Sequence, residues 1–139
     1  MEPGYRILEH PADVGIQSWG ATFPEALSMA VEGLVSVLID PTSVEPTERR
    51  TINVSADDTE ALVVKVLSEV LYLCDGDRFA PKSLYVHSCT QESVRASVAG
   101  EPLRAEKHRM RLDVKAVTYH QLSVRHRPGT VTITVYLDI

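Results

Sequence analysis

The sequence predicts an α+β fold in two layers, with mostly antiparallel sheet covered by two amphipathic helices. Two segments carry apolar residues at helical spacing. Most of the remainder alternates apolar with polar, and Gly, Pro and Asp punctuate the boundaries. Strands in runs, interrupted by two helices, point to α+β rather than to the strict alternation of a parallel α/β sheet. At 139 residues the chain is expected to form one domain, 1–139, large enough to bury roughly two-thirds of its unfolded surface.

The elements follow in order. Tyr5–Glu9 and Gly15–Gly20 read as strands flanking an acidic turn at His10-Pro-Ala-Asp-Val-Gly15. The first helix opens at Thr22-Phe-Pro-Glu25, a capping box with proline in its first turn, where a missing N–H costs least. Leu27, Ala30, Val31, Leu34 and Leu38 continue it until Asp40-Pro41 ends it. Arg50–Ser55 alternates as a strand. The second helix follows Asp57, with Glu60 three residues on and apolar pairs Leu62/Val63, Val66/Leu67 and Val70/Leu71, and it closes at Cys74-Asp-Gly76. Five further strands are expected at Leu84–Cys89, Ser93–Ala99, Arg109–Val114, Gln121–His126 and Thr130–Leu137, with Gly100-Glu-Pro102 and Arg127-Pro-Gly129 as turns.

Composition narrows the function. The chain is 44% hydrophobic and 24% charged, ordinary for a globular protein. The start, Met1-Glu-Pro-Gly4, lacks the basic and apolar regions of a secretory signal, and no apolar run reaches the ~18 residues of a membrane span. A cytoplasmic protein with no membrane contact is the expectation. Cys74 and Cys89 are then reduced thiols with a packing role. Charge is segregated: residues 1–77 hold 4 Lys/Arg against 14 Asp/Glu, and residues 78–139 hold 10 against 5. That asymmetry can mark a face for an anionic partner or simply reflect solvated strand positions. An overall acidic chain is a poor stand-alone nucleic-acid binder. With no G-x-G-x-x-G, no phosphate-binding G-x-x-x-x-G-K, no H-E-x-x-H and no G-x-S-x-G, no nucleotide is expected to bind this chain alone.

Oxygen donors at the two ends attract attention. Asp13 precedes a Val-Gly pair, and Asp138 with Ile139 ends the sequence, offering a side-chain and a terminal carboxylate. Separately, Asp13 suits a turn that bonds its own backbone, and Asp138 suits an exposed end. Brought together, these oxygens suit a hard divalent cation, calcium first with magnesium or manganese as alternatives. Three residues do not fill such a shell, so water or a partner must complete it. Lys115 in an alternating segment reads as solvated, and His120 beside a turn as a capping or core histidine. His10 either ends the first strand or orients Asp13 by a hydrogen bond, a part His120 shares as a candidate.

Taken together, His10-Pro-Ala-Asp-Val-Gly15, Thr22-x-x-Glu25-Ala26, Glu69-Val-Leu-Tyr-Leu73, Val114-Lys-Ala-Val-Thr-Tyr-His120 and Asp138-Ile139 resemble the archease family, in family order and across nearly the whole chain. The family pattern has Thr where Pro11 stands, which removes a hydroxyl and an N–H beside Asp13. The resemblance implies an accessory protein, not an enzyme, that serves the GTP-dependent RNA-splicing ligase joining 3′-phosphate to 5′-hydroxyl ends in tRNA splicing. It implies promotion of ligase guanylylation and multiple turnover, with tRNA contacted only through the ligase. It also implies Asp13, Asp138 and Ile139 as ligands of a divalent cation, commonly calcium, and a functional contact by Lys115. The rival readings are a small metal-dependent phosphodiester hydrolase, with His10 or His120 as general base, and a chaperone-like modulator of RNA-modifying enzymes.

Overall fold

A computed structural model describes residues 2–9 and 13–139. His10, Pro11 and Ala12 fall outside the described residues, and so does the expected role of His10. The fold is α+β, with two antiparallel sheets and two helices. Strands β1 (Gly4–Glu9), β2 (Asp13–Gly20), β6 (Ala116–Val117), β7 (Ser123–Arg127) and β8 (Thr130–Asp138) form one sheet in the order β1-β2-β8, and the remaining edge of β8 is shared end to end by β7 and β6. Strands β3 (Glu48–Ser55), β4 (Phe79–Cys89) and β5 (Ser93–Pro102) form the second, with β5 central.

Helix α1 (Phe23–Leu38) starts where the capping box places it. The Thr22 hydroxyl accepts from the Glu25 N–H at 3.3 Å, and the Glu25 carboxylate reaches back to the Ala21 N–H at 3.1 Å. Helix α2 (Thr59–Asp75) is capped by Asp58, whose carboxylate accepts from the Ala61 N–H at 2.8 Å. Both helices supply the core. α1 packs on β1, β2 and β8 and also on β4, while α2 packs on β3, β4 and β5 and reaches β6 and β7. Leu27, Leu34, Leu62 and Leu67 are fully buried between them and the inward residues Ile16, Ile133 and Leu137. Cys74 joins this core, and burial followed by the neighbouring Asp75 pushes its thiol up to about 11.

Two expectations give way. Arg109–Val114 alternates but forms no strand. Its backbone instead serves the end of α1, with the N–H groups of Arg111 and Leu112 donating to the carbonyls of Leu38 (2.8 Å) and Val37 (3.2 Å). A helix end leaves its last carbonyls without partners, and this segment supplies donors to two of them. Only an isolated bridge, Ile39 to Met110, remains of the expected pairing. Gly100-Glu-Pro102 is likewise no turn but the end of β5. Gly100 opposes Pro81 beside a bulge in β4, and a Cβ there would collide with the Ala80 carbonyl oxygen. The glycine gives room for a close backbone approach, not a change of direction.

Candidate functional site

Asp13 and Asp138, 125 positions apart in the numbering, are direct Cα partners in the β2–β8 ladder. Antiparallel partners project their side chains to the same face with Cβ atoms roughly 4.5–5.5 Å apart, so the two carboxylates share one end of the outer sheet face. Asp13 is half-buried and Asp138 exposed. The pairing depends on β8 lying beside β2. That adjacency follows from the inward rows Val14, Ile16 and Ser18 on β2 and Val131, Ile133 and Val135 on β8, which close on α1. Ile139 continues past the pair and is 37% exposed.

The segment 114–120 is anchored to the same place. Val114 is buried in the core, and the Lys115 N–H donates to the Asp138 carbonyl at 2.7 Å, leaving the Lys115 side chain exposed. β6 then pairs Ala116 with Asp138, and Thr118 bonds the Tyr136 carbonyl through both its N–H (3.0 Å) and its hydroxyl (2.9 Å). His120 is not a core residue: it is exposed, its N–H donates to the Thr118 hydroxyl, and its ring meets Tyr136 edge-on at 6.3 Å. Tyr119 is 60% exposed and lines a polar cleft of about 470 Å³ with Ser55, Asp57, Asp58 and Lys65.

The expected glycine turn after Asp13 is absent, because Asp13-Val-Gly15 already belongs to β2. Gly15 is the register partner of Tyr136, and a Cβ there would stand 2.7 Å from the Tyr136 ring. The missing side chain lets the ring lie flat across the strand, two residues from each aspartate. Tyr136 was not singled out in the sequence; its place in an alternating strand hid a side chain that is buried on the outer face, 9% exposed.

Among the described residues, no group of three or more His, Cys, Asp or Glu side chains gathers in an arrangement that could hold a metal ion. What is assembled is a pair of hard oxygen donors beside further main-chain oxygens. Such a set fits calcium or magnesium better than zinc, and it requires completion from water or a partner.

A second cluster escaped the sequence reading. Glu101, only 6% exposed, accepts from the Glu45 N–H (2.8 Å), the Lys107 ammonium (2.9 Å) and His108 Nε2 (2.9 Å). These contacts, the Glu45 bond foremost, hold its carboxyl down to about 2. His108 Nδ1 accepts from the Arg104 N–H at 2.9 Å, which assigns the ring proton to Nε2 and directs it at Glu101. Every group in the cluster is satisfied internally, so it serves to fold the 103–113 loop.

These features define a class: a small α+β protein that sets an early strand beside its last one and pairs an aspartate from each. The archease protein family model (MTH1598/TM1083) matches residues 5–139. The archease of Pyrobaculum neutrophilum is 37% identical over 139 residues, covering 97% of this chain and 95% of its own length. That of Thermococcus gammatolerans is 36% identical over 123 residues, covering 86% and 87%. The solution structure of Methanobacterium thermoautotrophicum protein 1598 superposes with a TM-score of 0.80 at 25% identity, covering 98% of this chain and 99% of its own. An archease from Thermotoga maritima, described as a possible chaperone, shares the fold with a TM-score of 0.68 at 19% identity and 96% coverage of both chains. The chain belongs to the archease family.

Proposed function

We propose that this chain is an accessory protein, not itself an enzyme, that promotes guanylylation and multiple turnover of the GTP-dependent RNA-splicing ligase in tRNA splicing. The observation that carries the reading is the Asp13–Asp138 register pair with Lys115 bonded beside it, in a chain matched to the archease family over residues 5–139. In this reading Asp13, Asp138 and a main-chain oxygen of Ile139 hold a divalent cation, calcium first. The cation would neutralise the facing carboxylates and offer its remaining positions to oxygen ligands. Lys115 presents a cation at the rim of the pair, suited to a phosphate or to a carboxylate of the ligase. His120, through its contact with Tyr136, braces the strand that carries Asp138.

The test is a guanylylation assay of the cognate ligase, with and without this chain. Wild type should stimulate, whereas Asp13→Ala and Asp138→Ala, both near the surface, should fold normally and stimulate at least about tenfold less, as expected when a charged contact of about 1.4 kcal/mol or more is lost. Normal stimulation by both variants sinks the cation site, and no stimulation by wild type sinks the ligase partnership. Turnover of phosphodiesters by the isolated chain would instead favour the hydrolase reading.

A further inference from the structure

The outer face of β1-β2-β8-β7 is distinct from the acidic end described above. We propose that it is a docking surface for single-stranded RNA, a direct contact that goes beyond the ligase reading. Outward positions follow from register. Gln17 of β2 opposes Arg6 of β1 and Thr134 of β8, and Trp19 opposes Thr132, which opposes Arg125 of β7. Arg127 lies opposite Thr130 in the next outward pair. Arg6, Arg125 and Arg127 are all exposed. Within the paired strands no acid stands at a described outward position between these arginines and Asp13 and Asp138 at the far end, and Glu2, exposed just before β1, is the one acid bonded beside Trp19. In a chain of net charge −5, that segregation makes this face complementary to an anion.

The face is also pre-arranged. Arg6 Nε donates to Gln17 Oε1 at 2.8 Å, and Gln17 Nε2 donates to the Thr134 hydroxyl at 3.2 Å. This ladder across three strands fixes the amide's orientation and ties the Arg6 guanidinium to the sheet through Nε. The Trp19 indole N–H is bonded to the Glu2 carbonyl at 2.9 Å, which holds the ring in place on the sheet. Arg6 and Arg125 stand three strand spacings and one outward row apart, roughly 16 Å, a span suited to a phosphodiester chain crossing the strands obliquely. None of the large exposed hydrophobic side chains (Ile7, Tyr72, Tyr85, Met110, Leu112, Tyr119 and Ile139) projects from this basic patch. A protein partner would want such an apolar anchor. Exposed arginines, of which Arg6 is held by Gln17, with amide and hydroxyl groups and one indole instead match the stacking-plus-backbone recognition of unpaired strands. The overall acidity of the chain weakens this binding without abolishing it, because charges beyond roughly 8 Å are screened at physiological salt.

Trp19 is the single tryptophan, so the surface carries its own reporter. The isolated chain, without ligase or GTP, is titrated with fluorescein-labelled oligouridylate at low salt, following anisotropy and intrinsic fluorescence together. Binding should quench Trp19 and weaken with salt at a log–log slope of roughly −2, about −0.7 for each of three phosphate contacts. The combined Arg6→Gln, Arg125→Gln, Arg127→Gln variant should lose at least about tenfold in affinity, and Arg127→Gln alone, on an exposed hairpin, about twofold to threefold. The proposal is overturned if wild type does not bind, if neither variant weakens binding, or if polyglutamate competes as well as the oligonucleotide. Because ligase is absent, failure here leaves the guanylylation reading standing, and failure of guanylylation leaves this one standing.

Discussion

Glu101 is nearly closed off from solvent yet ionised, because a backbone N–H, an ammonium and an imidazole N–H converge on it. Its carboxyl is held at about 2 against an ordinary value of 4.5. Between those two values the unfolded chain binds a proton that the folded chain refuses. The stability this group supplies is therefore complete above pH about 4.5 and lost as pH falls toward about 2. Urea unfolding across that range should show wild-type stability falling with pH, and Glu101→Gln should be less stable at neutrality but flatter through the same window. Parallel profiles would contradict the assignment. Gly100 makes a second residue-scale test. Gly100→Ala drives a methyl into the Ala80 carbonyl, and a denaturation midpoint should report a loss of about 1–3 kcal/mol. The sequence pattern places both in a turn, whereas they end β5, and it shows neither role. A buried glutamate and an exposed one look alike in a string, and a glycine chosen for space looks like one chosen for a turn.

The helices were legible because their signals are local. Caps, period and terminators all lie within a few residues of the element they define, and both α1 and α2 begin within two residues of the sequence-based start. Asp58→Ala should cost about 1 kcal/mol, from the lost bond to the Ala61 N–H. Thr22→Ala should cost less, since its bond is long and Glu25 separately holds the Ala21 N–H; thermal unfolding of the two variants would rank them. The Arg109–Val114 segment failed for the opposite reason. Its alternation predicts one buried and one solvated side, but Met110 and Leu112 are 44% and 41% exposed and only Val114 is buried. What decides its backbone is the unfilled carbonyl row at the end of α1, a demand made by residues seventy positions earlier. Pattern reports which side chains prefer burial, and here the hydrogen bonds of a distant helix outweighed it.

At the scale of the whole molecule, the proposed function rests on a contact that no local rule predicts. Periodicity marks β2 and β8 as strands but says nothing of their adjacency; donor chemistry suggests Asp13 and Asp138 as partners only on condition that the ends meet, and the motif resemblance implies them as shared ligands. Their adjacency carries an energetic consequence of opposite sign in two conditions. Two like charges directly opposed in an antiparallel pair repel by roughly 0.2–1 kcal/mol, so without divalent cations Asp138→Asn should leave stability unchanged or raise it by that amount. A cation held by the folded chain and not by the unfolded one stabilises through mass action, by about 2.7 kcal/mol at a hundred times its dissociation constant. For a chain of this length that is a rise in midpoint of roughly 8–11 °C. Thermal unfolding with a chelator and then with millimolar calcium should therefore reverse the order of the two proteins, wild type being the less stable or equal in the first and clearly the more stable in the second. Because Asp13 and Asp138 come from strands far apart in the sequence, a gain from a cation shared between them should appear in the global transition and not in a local one. A calcium response that is absent in wild type, or retained undiminished by Asp138→Asn, would remove the cation from this site while leaving the fold and the family unaffected.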